Sequence, residues 1–249
     1  MIRVEGLIKS FDGQEVLKRI NATFERGKCS MVLGASGSGK TVLMKCMVGL
    51  YAPDRGRIYY DNQDFCALSL LGKRRIRRKI GMLFQGAALF DSMTLAENVM
   101  LPLRLYSTMS SAEMKDRVDY CLERVGLAGA HAKYPSQLSG GMKKRAGLAR
   151  AIVLNPSYLF CDEPNSGLDP QTALVIDHLI KELTEDFGTV TIINTHDMNS
   201  VFEIGDVAYF LHKGVLAWQG PVSEILTADE PTLKDFIFAG TLMRRFISQ

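Results

Sequence analysis

Three short runs in this chain combine residue types and spacings that suit phosphate chemistry. The octamer Gly34-Ala35-Ser36-Gly37-Ser38-Gly39-Lys40-Thr41 follows the apolar run Cys29 to Leu33 and has the G-x-x-x-x-G-K-[ST] spacing of a phosphate-binding loop. Its glycines let backbone amides approach phosphate oxygens with no Cβ in the way, and a helix opening near Lys40 aims its positive end at them. Lys40 is then placed for the β- and γ-phosphates. The Thr41 hydroxyl suits Mg²⁺, a hard cation that takes oxygen ligands and keeps several waters. A second glycine pair, in Leu138-Ser139-Gly140-Gly141-Met142, opens another helix and offers another anion site. The third run, Asp162-Glu163, ends the apolar stretch Tyr158 to Cys161. There Asp162 would act on Mg²⁺ through coordinated water, and Glu163 is the natural general base for the attacking water. Two anion sites and one acid pair suggest that ATP is shared between two copies of the chain.

Three more side chains are candidates by position. Gln85 follows the apolar run Ile80 to Phe84, and its amide is long enough to reach the metal or the water. His196, just after Thr189 to Asn194, is placed to contact the γ-phosphate or to serve as an ordinary loop histidine. Phe11 either stacks on adenine, a contact of about 1–3 kcal/mol for aromatic–base pairs, or packs in the core.

The elements that must hold these residues follow from periodicity. Strands are expected near Ile2–Leu7, Ile20–Phe24, Cys29–Leu33 and Arg57–Tyr60, with the opening portion partly antiparallel. Ser110-Ser111-Ala112-Glu113 reads as a capping box, and Met114, Val118, Cys121, Leu122 and Val125 then recur at helical spacing up to Gly126. Another helix should run from about Gly140 to Leu154 and stop at Asn155-Pro156, because proline disfavours helical geometry in the residue before it. Strand Tyr158–Cys161, helix Gln171–Thr184 and strand Thr189–Asn194 alternate as in a parallel sheet, and Val207–Leu211 with Val215–Trp218 form a closing hairpin before two short helices. The run Lys73-Arg74-Arg75-Ile76-Arg77-Arg78-Lys79 is read as a solvated helix face leading into the strand from Ile80, rather than a site for phosphate backbones or anionic lipid.

At 249 residues the chain suits one compact unit with two lobes. A net charge of +3 is too small to imply a nucleic-acid footprint. The five cysteines form no Cys-x-x-Cys pair, which points to reduced thiols rather than a zinc site or a disulfide scaffold. No window approaches the ~20 apolar residues of a membrane span, and the first residues lack an export-signal pattern, so the expected location is cytosolic.

In order along the chain, the phosphate loop, Gln85, Leu138-Ser139-Gly140-Gly141, Asp162-Glu163, Ser166-Gly167-Leu168-Asp169 and His196 make nearly the whole sequence resemble the ATPase subunit of an ABC transporter. That resemblance implies an α/β P-loop NTPase fold of ABC ATPase type. A RecA-like parallel-sheet core with an antiparallel β subdomain would span residues 1–92 and 156–249, and an inserted α-helical subdomain carrying the signature run would span 93–155. It also implies a head-to-tail homodimer whose phosphate loop and partner Ser139-Gly140-Gly141 clamp each ATP. Phe11 would then stack on adenine, Gln85 would couple the site to integral-membrane permease subunits, Asp169 would lie at the dimer seam and His196 would sense the γ-phosphate. No nucleic acid is implied as a partner.

Phe84 to Thr94, Glu97-Asn98-Val99, Gly141-Met142-Lys143-Lys144-Arg145 and Cys161 to Pro170 further resemble the Mla/Mce group of lipid transporters. This implies phospholipid cargo, an MCE-type lipid-binding protein, a small regulatory subunit, and a peripheral position on the cytoplasmic face of the inner membrane. Met142 stands where most such ATPases have Gln or Glu, Asn165 where Thr or a similar residue is usual, and Phe11 where Tyr is commoner. Rival readings are an ABC ATPase for amino acids, metal chelates or lipoproteins, a soluble ABC ATPase, and a P-loop kinase. The stretch Asp235 to Phe246 is read as a cover on the core's edge, with docking to a partner as the alternative.

Overall fold

The computed structural model describes residues 1–238. Alternation sets the first sheet: β1 (Ile2–Phe11) turns Ile2, Val4 and Leu7 inward, and β2 (Gln14–Phe24) does the same with Leu17, Ile20, Ala22 and Phe24. The chain then enters a second sheet along β3 (Lys28–Leu33), turns through the phosphate loop and continues as helix α1 (Lys40–Met47). It returns to the first sheet as β4 (Arg55–Tyr60) and the short β5 (Gln63–Asp64), giving an antiparallel order β2-β1-β4-β5.

Helix α2 (Leu70–Arg77), capped by Ser69, carries most of the basic run and leads into β6 (Ile80–Leu83). Of that run Arg77 is spent on structure, donating to Val48 O at 3.3 Å and Gly49 O at 2.6 Å. Three helices follow: α3 (Leu95–Tyr106), α4 (Ser111–Arg124) and α5 (Gly140–Ile152). The Ser110/Glu113 capping box of α4 forms as expected. Helix α3 has its own box, Thr94 with Glu97, yet periodicity did not reveal this helix, because Pro102 in its interior is a residue that usually ends one.

The rest alternates. Strand β7 (Tyr158–Asp162), α6 (Pro170–Phe187), β8 (Val190–Thr195), the seven-residue α7 (Met198–Ile204), and the antiparallel hairpin β9 (Val207–His212) and β10 (Val215–Pro221) lead to α8 (Pro231–Phe238). The second sheet has the order β10-β9-β3-β8-β7-β6, parallel except for β10. Its central strands are buried on both faces. Cys29, Met31 and Leu33 pack toward α5 and α6 on one side, and Val32 packs toward α1 and the first sheet on the other.

Register decides where the chemistry sits. Leu33 pairs with Thr195 and Asp162 with Asn194, so β3, β7 and β8 end together and release their loops at one edge. Ligands of open α/β sheets bind at such carboxyl ends. At the far end of the chain, α8 buries Leu233 and Ile237 and sets Phe236 against Phe210, with ring centroids 5.4 Å apart. The part of the closing stretch beyond Phe238 lies outside the described residues.

Candidate nucleotide site

The phosphate loop is built around glycine where nothing else fits. Gly34 has φ 149°, and a Cβ there would run into Leu211 O and Ser38 Oγ. At the loop's end Lys40 is only 7% exposed; its ammonium donates to Gly34 O at 2.7 Å and Ala35 O at 3.2 Å and lies 3.9 Å from Glu163 Oε1. Burial pushes this ammonium below its ordinary value, against the pull of the Glu163 and Asp162 carboxylates. Ser38 Oγ is buried with no partner among the described residues. A buried lysine and an orphaned hydroxyl beside free loop amides fit a phosphate.

Asp162 closes β7 and is held from two sides, by the Thr41 hydroxyl at 3.4 Å and Asn194 Nδ2 at 2.9 Å. Thr41 and Asp162 thus present adjacent oxygens of the kind Mg²⁺ prefers, directly or through its waters. Among the described residues no three His, Cys, Asp or Glu side chains gather into a closed metal cage.

Glu163 adopts a left-handed backbone, φ 48°, a conformation that costs a non-glycine residue about 1–2 kcal/mol. Its surroundings enforce it: Glu163 N–H donates to Asn194 O at 2.9 Å, and Glu163 O accepts from Ser166 N–H at 3.2 Å and Lys144 Nζ at 3.2 Å. The carboxylate therefore lies between Lys40 and His196, whose Nδ1 is 2.9 Å from Glu163 Oε2. That pairing gives His196 a specific neighbour, although most of its ring remains exposed.

Gln85 does not join the Thr41–Asp162 pair. Its amide donates to Ser166 Oγ at 3.3 Å, and its carbonyl accepts from Lys144. Asp169 caps α6, accepting from Thr172 N–H at 3.0 Å and the Thr172 hydroxyl at 2.6 Å. Ser139 caps α5 by accepting from Met142 N–H at 3.3 Å, and Gly141 is required there because a Cβ would strike Thr172 of α6. Phe11 is exposed at the tip of β1 and meets Tyr51 edge-on, with centroids 5.2 Å apart. The Lys9 ammonium lies over the ring, 5.2 Å from its centroid, and the ring's exposure at the sheet's tip suits a base more than a core.

Three residues to which the sequence assigns no role in the site complete it. Lys144, within α5, is buried, and burial lowers its ammonium; it fastens Gln85 and Glu163 through their carbonyls. Arg150, six positions later on the same helix, donates to Ala87 O at 2.7 Å and Ala88 O at 2.8 Å. Asn98 is fully buried at the start of α3: its Oδ1 accepts from Phe90 N–H at 2.8 Å, and its Nδ2 donates to Phe90 O, Met93 O and Thr94 O at 3.0–3.1 Å.

Residues 17–166 match the family described as ABC transporter. The chain belongs to the ABC transporter family. Over 236 residues, 95% of its length, it is 40% identical to a probable ribonucleotide transport ATP-binding protein mkl of Mycobacterium tuberculosis, of which it spans 66%. It is 38% identical over 242 residues to a methionine import ATP-binding protein MetN of Desulfitobacterium hafniense, covering 95% of this chain and 71% of that protein. Among solved structures, cbiO1 from Clostridium perfringens, part of the ABC transporter complex cbiONQ, superposes with TM-score 0.85 at 32% identity over 98% of both chains. A dimeric ATP-binding cassette in a post-hydrolysis state, bound to ADP and Pi, does so with TM-score 0.81 at 31% identity, over 89% of this chain and 99% of that one. The fold is that of an ABC ATPase.

Proposed function

We propose that this chain is the ATP-driven motor of a lipid transporter, working as a head-to-tail homodimer beneath integral-membrane permease subunits on the cytoplasmic face of the inner membrane. One observation carries the motor: the Glu163 carboxylate is set between Lys40 and His196 at the end of β7, within reach of a phosphate held by the loop. In this reading Glu163 takes the proton of the attacking water. His196 orients Glu163 and touches the γ-phosphate, and Lys40 and the loop amides hold the β- and γ-phosphates. Mg²⁺, held by Thr41 and through water by Asp162, would neutralise charge on the phosphate oxygens.

Sharing between copies is supported by the separate neighbourhoods of the two anion sites. Lys40 and Thr41 face Glu163 and Asp162, whereas Gly140 and Gly141 sit against Leu168 and Thr172. A second copy would bring its Ser139-Gly140-Gly141 over the phosphates and its Asp169 to the seam. Hydrolysis then separates the phosphates that bridge the two subunits and opens the dimer.

A groove of about 800 Å³ between α2, β6, α3 and α5, lined by Arg74, Arg78, Phe84, Phe90, Leu105 and Tyr106, is where the permease would receive that motion. Lipid cargo is supported by the sequence of Phe84 to Thr94, the segment Asn98 ties down, and by its likeness to the Mla/Mce group. An MCE-type lipid-binding protein and a small regulatory subunit belong to the same reading. The names of the relatives favour a second one, import of a water-soluble cargo such as methionine or ribonucleotides. Isolating the chain from its native membrane with its permease and identifying co-isolated lipids separates the two. Phospholipid in the complex supports the first, and a complex holding only water-soluble cargo overturns it.

A further inference from the structure

The buried face between α6 and α7 holds a polar cluster that the catalytic reading leaves unused. Asp177 is 3% exposed, in the middle of α6 among Ile176, Leu179 and Ile180. Beside it lie Asn165, two residues beyond Glu163, and Ser200, four residues beyond His196. Asn165 Nδ2 donates to Ser200 Oγ at 2.9 Å, which leaves the Ser200 hydroxyl proton for the Asp177 carboxyl. Two acceptors in this cluster, Asp177 Oδ1 and Asn165 Oδ1, are buried without a hydrogen-bond partner among the described residues. Such atoms are costly, and a fold keeps them where they serve a purpose.

The three residues bridge the two segments that shape the catalytic pair. Asn165 lies in the strained turn that begins at Glu163 and Ser200 in the helix that begins just after His196, so the bond between them ties the two segments. We propose that Asp177, through Asn165 and Ser200, is a positioning residue that holds Glu163 and His196 in register, and that its carboxylate form is the competent one. As a carboxylate it is favoured by the donors beside it, the Ser200 hydroxyl and the Asn165 amide. Protonated, it must donate, and the acceptors beside it are the orphaned Asn165 Oδ1 and the Ser200 oxygen, which already accepts from Asn165. The amide and the hydroxyl then reorient, and the turn after Glu163 loses its tie to α7.

The other titratable groups that bear on Asp177 are Asp197 at the start of α7, His178 on its own helix and Cys161 at the end of β7. Burial raises the carboxyl to about 6, while Ser200 and Asn165 pull it down. The exchange therefore falls just below neutral pH.

The inference rests on the ATPase reading and is tested on the full chain by steady-state hydrolysis of saturating Mg-ATP from about pH 5 to pH 8.5. The wild type should lose kcat as pH falls through about 6. Asp177→Asn should be at least about fivefold slower at the top of the range and flat through that region. Ser200→Ala, which removes a donor to the carboxylate, should move the acid limb to higher pH by about half a unit or more. KM for ATP should stay within about twofold in all three, since none of these residues touches the nucleotide. Normalised profiles of both variants that superimpose on the wild type would overturn the proposal. A wild type with no hydrolysis at any pH would instead count against the ATPase reading.

Discussion

Replacing Asn98 with alanine tests whether the loop after Gln85 is held by one buried amide. The side chain satisfies Phe90 N–H, Phe90 O and Met93 O, and also bonds Thr94 O, which already accepts from Asn98 N–H at 3.0 Å within α3. Three bonds therefore depend on it. At about 1 kcal/mol net each, with a further 1 kcal/mol or so for a stranded Phe90 amide, the loss is about 3–4 kcal/mol. That is a large fraction of the 5–15 kcal/mol typical of a domain, yet it leaves a folded protein. Urea unfolding should show a midpoint lower by about 1 M or more. Amide exchange should be more local: Phe90 N–H should exchange about a hundredfold faster, while the amides of β7 and β8 slow or quicken only with global stability. An Asn98→Ala protein within 1 kcal/mol of wild type, with Phe90 exchange unchanged, would refute the view that this side chain organises the loop.

Glu163→Gln should bind ATP with near wild-type affinity and hydrolyse it at least about a hundredfold more slowly; hydrolysis at the wild-type rate removes Glu163 from the role of base. Lys40→Ala should abolish tight nucleotide binding in a titration calorimeter, and unchanged affinity would contradict the phosphate assignment. Asp177 makes a pH-dependent contribution of predictable sign. Its pKa moves from 3.8 unfolded to about 6 folded, so the native state binds the proton more tightly; stability from this group is full below about pH 4 and is lost as pH rises through about 6. Asp177→Asn should gain on the wild type by about 2–2.5 kcal/mol between pH 4 and pH 7, read from denaturant midpoints at both pH values. A constant difference between the two proteins would defeat that assignment.

Much of the site could be read from residue order because its chemistry is local. The phosphate loop, the glycine pair opening α5 and the acids closing β7 each occupy a few adjacent positions, and their neighbours mark the strand or helix that presents them. What escaped has non-local causes. Helix α3 was hidden by Pro102, and α7 is too short at seven residues for a period to declare itself. Lys144 and Asp177 sit on helices at positions where a charge ordinarily marks the solvent side. Their burial comes from strands and helices distant in sequence, α5 meeting the turn after β7 and α6 meeting α7. Gln85 shows the same limit, since its partner, Ser166, is 81 residues away.

The six steps from Lys144 to Arg150 span about 9 Å of α5, and both cations grip the same short stretch of backbone, Gln85 at one end and Ala87-Ala88 at the other. A strap riveted at two points cannot pivot about either. Any tilt of α5 drags this stretch as a stiff unit, along with the wall of the adjoining groove. Helix and strap are thereby coupled mechanically, and a force applied at the glycine-rich start of the helix would be felt along the whole strap.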